Sequence, residues 1–215
     1  IGYQRAHSGL VAIYLGGPEG LASEPDQILG ADAVPYDYFG ADYTIGDFNG
    51  DGLTDILIGA SGSSGGDVDR GAVYLHQGVW SDGLIFVESA TQMFTGAGNW
   101  YFLGSTASCD IDGDSIDDLI IGDRYLFHVY VGRTEPFTNE ADYSRISKIP
   151  DGNGGFFEYG SSGGEIHTGD FNGDGYCDVV TGGTNGTKDP VTGQITTTGR
   201  LYQIYLGSPE GLSEN

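Results

Sequence analysis

One acidic nonapeptide occurs three times in this 215-residue chain and constrains its fold more than any other feature. The copies are Asp47-Phe-Asn-Gly-Asp-Gly-Leu-Thr-Asp55, Asp110-Ile-Asp-Gly-Asp-Ser-Ile-Asp-Asp118 and Asp170-Phe-Asn-Gly-Asp-Gly-Tyr-Cys-Asp178, and their first residues lie 63 and 60 residues apart. Self-similarity at such a period indicates a repeat architecture in which each copy belongs to one supersecondary unit.

Further markers accompany the acidic loops in a constant order. An aromatic residue and a Gly precede each loop, as in Phe39-Gly40, and a short apolar run ending in Gly follows it, as in Ile56–Gly59. A tyrosine between aliphatic residues comes next, at Tyr14, Tyr74, Tyr130 and Tyr205. Each unit therefore reads as strand, acidic turn, strand, loop, strand and a variable fourth strand such as residues 85–87.

This pattern predicts an all-β fold made of β-propeller blades. Four short antiparallel strands in a repeat of roughly 60 residues are typical of a blade. Solenoid repeats are usually shorter, and a sandwich would not repeat its loops. The 39 Gly residues lack a three-residue period and suit many tight turns. We predict a partial blade with third and fourth strands at 1–37, blades at 38–98 and 99–155, and a partial blade at 156–215.

The two ends of the chain bear on how a ring would close. Residues 13–21 nearly duplicate residues 204–212, which predicts that the chain begins at a third strand and stops just after one, with about three and a half blades. Closed propellers have about four to eight blades, and an unclosed one exposes strand edges. Either more protein belongs to the ring, or two chains of about seven blades in total complete it.

The succession of Phe39-Gly40, the loop from Asp47 to Asp55 and Ile58-Gly-Ala60 resembles the FG-GAP repeat of integrin α-subunit propellers and their bacterial relatives. The likeness covers nearly the whole chain. It implies a seven-bladed propeller with calcium in the loop between the first and second strands, on the face opposite that used for ligands. It does not identify a ligand, because one fold hosts many functions.

The acidic loops have the composition of calcium sites. Oxygens of residues one, three, five and nine, with the backbone carbonyl of residue seven, can meet at one ion because Gly at positions four and six permits a sharp turn. All-oxygen ligands favour Ca²⁺ over Mg²⁺, and clustered carboxylates repel one another without a counter-ion. We predict three calcium sites rather than ordinary Asp-Gly turns. Ser115 replaces the second Gly of the middle loop, which would strain the turn or loosen the site. The candidate ligands are Asp47, Asn49, Asp51, Leu53, Asp55, Asp110, Asp112, Asp114, Ile116, Asp118, Asp170, Asn172, Asp174, Tyr176 and Asp178.

Charge and composition argue against several functional classes. The 31 acidic and eight basic residues give a net charge of −23, which repels phosphate backbones and anionic lipid, so we predict no nucleic-acid binding. No apolar run approaches the roughly 20 residues of a membrane span, so we predict no membrane insertion. The strings at 62–66 and 160–164 lack the strand-turn-helix context of a nucleophile elbow. Four scattered histidines form no triad. We therefore predict no enzymatic activity.

The two cysteines, Cys109 and Cys177, stand at non-equivalent places in neighbouring repeats. Nothing in the sequence brings their Cα atoms within the roughly 4.4 to 6.8 Å that a disulfide needs. The sequence therefore favours two free thiols over a bridge.

Variable loops on a repeated scaffold are the candidate ligand-binding region. The connection from the last Asp of each acidic loop to the repeat tyrosine is 19, 12 and 27 residues long, and Asn185-Gly-Thr187 in the longest one is a formal glycosylation sequon. Exposed aromatic residues suit sugar rings or partner side chains, although the same residues could pack between blades. The aromatic candidates on the expected face are Tyr36, Tyr38, Trp100, Tyr101, Phe156 and Phe157.

Three functions fit these features. The first is an extracellular, calcium-stabilised module for adhesion or assembly, whose partner is another protein or further copies of itself. The second is a lectin-like propeller that binds carbohydrate through the aromatic loops. The third is a non-catalytic part of a larger secreted enzyme. All three place the chain outside the cell or at its surface, because calcium sites of the affinity typical of extracellular modules would stay empty in the cytosol.

Overall fold

The computed structural model describes residues 9–30, 38–61, 71–81, 84–95, 102–123, 126–146, 149–150, 156–157, 165–188 and 195–213. All regular structure in these ranges is β, as predicted. None of them contains a helix with the length and apolar character of a membrane span. The strands of the described ranges are β1 (Val11–Ile13), β2 (Gly16–Gly17), β3 (Gly20–Leu21), β4 (Gln27–Leu29), β5 (Phe39–Gly46), β6 (Asp55–Ala60), β7 (Ala72–His76), β8 (Gly78–Ser81), β9 (Leu84–Phe86), β10 (Gln92–Thr95), β11 (Phe102–Cys109), β12 (Asp118–Asp123), β13 (Leu126–Tyr130), β14 (Tyr143–Ile146), β15 (Ile149–Pro150), β16 (Phe156–Phe157), β17 (Glu165–Gly169), β18 (Asp178–Lys188) and β19 (Ile195–Tyr205).

The first four-stranded sheet is antiparallel throughout, with the order β10–β7–β6–β5. Its second strand, β6, is buried at every residue. A strand covered on both faces has no reason to alternate polar with apolar residues, which explains its continuous apolar run. The bulge in β5 lies between Phe39 and Asp42, where Gly40 has a φ of 84° that glycine adopts without strain.

Two further sheets follow the same plan. The second has the order β11–β12–β13–β14, and the third contains β17–β18–β19. The longest predicted insertion is a β-hairpin, because β18 and β19 each extend over 11 residues. At the start of the described chain, β1 pairs with β4 in a two-stranded sheet. The repetition of antiparallel sheets confirms the predicted propeller blades.

The prediction for the fourth strand of the first sheet is wrong. The outer strand there is β10, at Gln92–Thr95, which pairs with β7. Residues 84–86 instead form β9, which pairs with β8 in a separate two-stranded sheet. This additional hairpin is inserted between the third and fourth strands of the blade and moves the fourth strand further along the chain.

The predicted equivalence of the repeat tyrosines is also wrong at one position. Tyr130 pairs with Leu119, and Tyr205 pairs with Val179, the residue that directly follows the last Asp of the acidic loop. In the first sheet the residue that directly follows the last Asp of the loop is Ile56, and it pairs with His76. Tyr74 lies two residues earlier and pairs with Ile58, so the tyrosine pattern is out of register with the strands there.

The sheets pack face to face, and each interface has its own apolar core. One core joins β1 and β4 to the first sheet and includes Leu29 and Phe39. A second lies between the first and second sheets and includes Phe48 and Leu119. A third lies between the second and third sheets and includes Ile111. Burial of apolar area between sheets, at about 25 cal/mol per Å², is therefore what holds the blades together.

A disulfide joins Cys109 to Cys177, contrary to the expectation of two free thiols. The Cα atoms are 6.1 Å apart. Cys109 ends β11 just before the middle acidic loop, and Cys177 is the eighth residue of the next loop. Consecutive acidic loops lie side by side, with the amide of Cys177 donating to the carbonyl oxygen of Asp110 at 3.1 Å. Residues at different positions of the repeat therefore become neighbours across the interface.

Candidate metal centres

Each acidic loop connects the first and second strands of a sheet, so all three occupy the same place in their blades. The loops follow β5, β11 and β17 and lead into β6, β12 and β18. Adjacent antiparallel strands hold the two ends of each loop in register, with Gly46 paired to Asp55 in the first sheet and Gly169 paired to Asp178 in the third. In the structure the three loops connect first and second strands, as predicted.

The first Asp of each loop organises the turn by accepting backbone hydrogen bonds. Asp47 Oδ1 accepts from the amides of Gly50 at 2.8 Å and Asp51 at 3.2 Å, and its Oδ2 accepts from Gly52 at 2.8 Å. The amides at positions four, five and six bind Asp110 and Asp170 in the same way. These N–H donors lower the pKa of Asp170, with the amide of Gly175 as the largest cause.

Positions three and five stabilise the following residues of the loop. Asn49 Oδ1 accepts from the amide of Asp51, and Asp51 Oδ1 accepts from that of Leu53, both at 2.8 Å. The other two loops repeat both bonds. A carboxylate oxygen has two lone pairs, so one that accepts an N–H can still bind a cation. The loops are therefore folded in a form that leaves acceptor capacity at positions one, three and five.

The left-handed backbone at position six is common to all three loops. The φ angles are 81° at Gly52, 72° at Ser115 and 92° at Gly175. Ser115 adopts the same left-handed conformation as Gly52 and Gly175. In this conformation a residue with a Cβ atom has a higher free energy than glycine. The sequence predicted that Ser115 would either strain the turn or loosen the site. Its positive φ is a strained conformation for a residue with a Cβ atom, and the hydrogen bonds of the turn are kept.

The middle loop brings three carboxylates together. Asp110, Asp112 and Asp114 each offer an oxygen, and these atoms lie within 4.8 Å of one another. Burial is the main cause that raises the pKa of Asp112, and the neighbouring Asp114 and Asp110 raise it further. Mutual repulsion in such a group is relieved when a cation binds, which fits the all-oxygen donor set of a hard ion.

The ninth residue of each loop is buried and has a different environment. Asp55, Asp118 and Asp178 are at most 1% exposed. Asp118 Oδ2 accepts from the amide of Ile111 at 2.9 Å, and its Oδ1 accepts from that of Gly132 at 2.8 Å. Burial raises the pKa of Asp55 to about 6 and that of Asp118 to about 7. This Asp fastens the loop to its own sheet. Its role as a metal ligand, like that of the carbonyls of Leu53, Ile116 and Tyr176, stays a prediction.

A second role of the loops, in packing, was missed from the sequence. Phe48 and Ile111, at position two, are fully buried in the cores between consecutive sheets. The amides of Asp117 and Cys177, at position eight, donate to the carbonyl oxygens of Asp47 and Asp110 in the preceding loop. An apolar residue between two polar residues, Asp at position one and Asn or Asp at position three, was the available signal, since a solvated turn has no need of it.

The predicted ligand face is described only in part. Tyr38 lies just before β5 with a φ of 55° and is half exposed. Tyr36, Trp100 and Tyr101 lie outside the described residues, as do the strings at 62–66 and 160–164. Phe156 and Phe157 form β16, and Asn185 lies in β18, but the structure does not describe their side chains. The aromatic candidates and the glycosylation site therefore stay predictions.

Comparisons with known proteins agree with the geometry. A family model of the FG-GAP repeat matches residues 39–76, which contain the first acidic loop and the strands β5 to β7. Integrin alpha-X from Homo sapiens is 36% identical to this chain over 115 residues. The alignment covers 51% of this chain and 9% of that protein. The chain thus spans only a small part of the length of this relative.

Proposed function

We propose that this chain, whose residues 39–76 match the FG-GAP repeat, is an extracellular, integrin-like propeller module whose acidic loops bind calcium to stabilise the blades. Its role is to contact another protein or further copies of itself, without catalysis. The observation that carries the proposal is the same hydrogen-bonded loop recurring three times at the same place in the blade, with Asp110, Asp112 and Asp114 converging in the middle copy.

Calcium is the cation that suits these loops best. The donors at positions one, three and five are carboxylate or amide oxygens, without any sulfur or nitrogen ligand. Hard, flexible oxygen cages of this kind favour Ca²⁺, whereas Mg²⁺ keeps more of its water and demands a stricter octahedron. A net charge of −23 adds a field that attracts cations to every loop.

The expected binding energy indicates a structural role. A site with a Kd of about 10⁻⁴ M, the range of extracellular modules, would stabilise the fold by about 1.4 kcal/mol at millimolar calcium. Three independent sites would contribute about 4 kcal/mol, against a total margin of about 5 to 15 kcal/mol for a domain. Free calcium in the cytosol is too low to supply this, which supports an extracellular or cell-surface location.

Similarity to integrin alpha-X supports an extracellular role in protein–protein contact. The matched region is a small part of it, so the partner of this chain is inferred only as a class. Blade cores formed by face-to-face packing supply a rigid scaffold on which connecting loops can be displayed.

Native mass measurement with added calcium tests the metal proposal. We expect three bound ions per chain at millimolar calcium and two in Asp114→Asn, which removes a converging carboxylate charge. Glu135→Gln removes the same charge at an exposed residue outside the loops and should retain three. A chain that binds no calcium at this concentration, or an Asp114→Asn chain that still binds three ions, would refute the assignment.

A further inference from the structure

Asp117, the eighth residue of the middle acidic loop, binds both backbone polar groups of Asp47 in the first loop. Its Oδ2 accepts from the Asp47 amide at 3.0 Å, and its own amide donates to the Asp47 carbonyl oxygen at 2.9 Å. The register between β5 and β6 ends one residue earlier, where Gly46 pairs with Asp55. A residue of the neighbouring loop therefore supplies two hydrogen bonds to the residue that opens the first loop.

The side chain of Asp117 reaches this position because it lies directly against Gly46. A Cβ atom added to Gly46 would stand 2.7 Å from Asp117 Oδ2 and 3.0 Å from Asp117 Cβ. Both distances are shorter than the separation that non-bonded atoms prefer, about 3.5 to 4.0 Å between carbons. The absence of a side chain at Gly46 therefore gives the carboxylate access to the Asp47 amide.

The backbone that presents the Asp117 carboxylate is itself held in place. A Cβ atom added to Gly132 would lie 2.6 Å from the Asp117 carbonyl oxygen, so these two segments are in close contact. The Gly132 amide donates to Asp118 Oδ1 at 2.8 Å, and the Arg133 amide donates to the Phe48 carbonyl oxygen at 3.1 Å. The residues on either side of this contact are therefore anchored, and the carboxylate has a fixed base.

Asp47 is the residue whose placement matters most to the first loop. Its carboxylate accepts from the amides of Gly50, Asp51 and Gly52. A shift of the Asp47 backbone would move that carboxylate away from the three amides and from the place where it can meet a cation. Residues that orient a metal ligand without touching the metal typically change metal affinity about 10- to 100-fold when they are mutated.

The residue at position eight differs from loop to loop, being Thr54, Asp117 and Cys177 in turn. The Cys177 amide donates to the Asp110 carbonyl oxygen at 3.1 Å, as the Asp117 amide does to that of Asp47. The Cys177 side chain is bonded to Cys109, the counterpart of Gly46. A carboxylate at one interface and a disulfide at the next therefore both fix the start of the preceding acidic loop.

We propose that Asp117 is a positioning residue for the metal site of the first acidic loop, although it belongs to the middle loop. Its carboxylate and its amide hold the Asp47 backbone where the Asp47 carboxylate serves both the loop amides and the cation. This role rests on the proposed function of calcium binding and makes one site depend on a side chain of the neighbouring loop. Substitution of Asp117 should therefore weaken calcium binding at the first loop more than at the loop that contains it.

A calcium titration of the full chain followed by amide NMR measures each loop separately. The amides of Gly52, Ser115 and Gly175, at position six, each donate to the first Asp of their own loop and report its occupancy. Asp117→Ala removes the acceptor of the Asp47 amide and should raise the Kd of the first loop about tenfold. The Kd of the middle loop should change far less.

Two further variants separate position from charge. Asp117→Asn loses the charge but keeps a side-chain oxygen that accepts an N–H, so the Kd of its first loop should stay near the parent value. Glu135→Gln removes a charge at an exposed residue outside the loops and should leave all three Kd values as in the parent. If Asp117→Asn binds as weakly as Asp117→Ala, the effect is one of charge and the positioning role is overturned. A rise of Kd in the middle loop as large as that in the first overturns it as well.

Hydrogen exchange in excess chelator gives a readout that needs no metal. The Asp47 amide should exchange about tenfold faster in Asp117→Ala than in the parent, because it has lost its acceptor. Asp117→Asn should keep the parent rate, and unchanged exchange in Asp117→Ala overturns the proposal. If Asp117→Ala does not fold, Asp117→Thr replaces it in both measurements. Thr is the residue that the first loop has at this position, and its hydroxyl is one bond shorter than the carboxylate.

Failure of the positioning role is distinguishable from failure of the calcium proposal. If calcium shifts none of the three reporter amides in the parent chain, the metal assignment is refuted, and a role of Asp117 towards the metal is refuted with it. If the parent binds three ions and Asp117→Ala has the same first-loop Kd, the positioning role alone is refuted.

Discussion

Phe48 and Phe171 occupy the same position of their acidic loops, yet Phe48 is 0% exposed and Phe171 is 53% exposed. The difference comes from the following sheet, because Phe48 is buried in one apolar core with Leu119 and Ile121 of the second sheet. Phe171 belongs to the last described sheet, whose outer face also exposes Tyr202 and Ile204. Burial of the position-two residue therefore depends on the presence of the next blade.

This contrast predicts unequal effects of the same substitution. Phe48→Ala should lower the free energy of unfolding by about 3 to 5 kcal/mol, since it leaves a cavity between two sheets. Phe171→Ala should cost about 1 kcal/mol or less, because its side chain is largely in solvent. Urea unfolding followed by circular dichroism measures both. Equal losses in the two variants would show that position two does not act through the following blade.

Removal of calcium should lower the melting temperature by about 10 °C. Three sites that together contribute about 4 kcal/mol correspond to this shift in a chain of this length, at about 2 to 4 °C per kcal/mol. Differential scanning calorimetry in excess chelator and in millimolar calcium gives the comparison, with millimolar magnesium as the control for ionic strength. An unchanged melt in chelator would remove the structural role of the metal.

Ser115 should be a site of stored backbone strain. Its φ of 72° lies in the left-handed region, where a residue with a Cβ costs about 1 to 2 kcal/mol relative to glycine. Ser115→Gly should stabilise the chain by about 0.5 to 1 kcal/mol, after the larger entropy of glycine in the unfolded chain is subtracted. The reciprocal change, Gly175→Ser at a φ of 92°, should destabilise by a similar amount. Opposite shifts in the urea midpoint are the expected result, and shifts of the same sign would contradict it.

Loss of the disulfide should destabilise the chain without moving the loops apart. The bridge closes a separation of 68 residues, for which the chain-entropy account gives about 4 kcal/mol. The hydrogen bond from the Cys177 amide to Asp110 and the Ile111 core remain when both cysteines are replaced by Ser. We expect a loss of about 2 to 4 kcal/mol in urea unfolding, with calcium stoichiometry kept. A thiol assay of the unfolded, unreduced chain that detects two free thiols would show that the bridge is absent.

The fold class and the place of the acidic loops between strands were predictable because they depend on local sequence. A loop that turns at two glycines between short apolar runs needs no distant partner to be identified, and three copies fix the period. Asp110, Asp112 and Asp114 are alternate residues within one five-residue stretch, so their convergence follows from the loop itself.

Relations between blades were not predictable from a single repeat. Cys109 and Cys177 belong to different positions of the repeat and meet only because adjacent loops are displaced relative to one another. The register at His76 failed for a different reason. The strands β7 and β13 are both five residues long, but the tyrosine is the third residue of β7 and the last residue of β13, so the tyrosine pattern alone does not fix the pairing.

Substitutions at the fifth and ninth positions of the middle loop should distinguish a residue that stabilises the chain through metal binding from one that stabilises the fold itself. Asp114 is exposed and offers its oxygens to the converging group, so Asp114→Asn should lower stability only in calcium. Asp118 is buried, and each of its oxygens accepts a backbone N–H, from Ile111 and from Gly132. An amide at this position would turn an N–H₂ group towards one of these donors and leave that donor without an acceptor. Asp118→Asn should therefore cost about 1 to 3 kcal/mol even in chelator. Urea unfolding of both variants, with calcium and with chelator, checks the distinction. If the Asp118→Asn chain has the same free energy of unfolding as the parent in chelator, the buried carboxylate stabilises the fold only when the metal is bound.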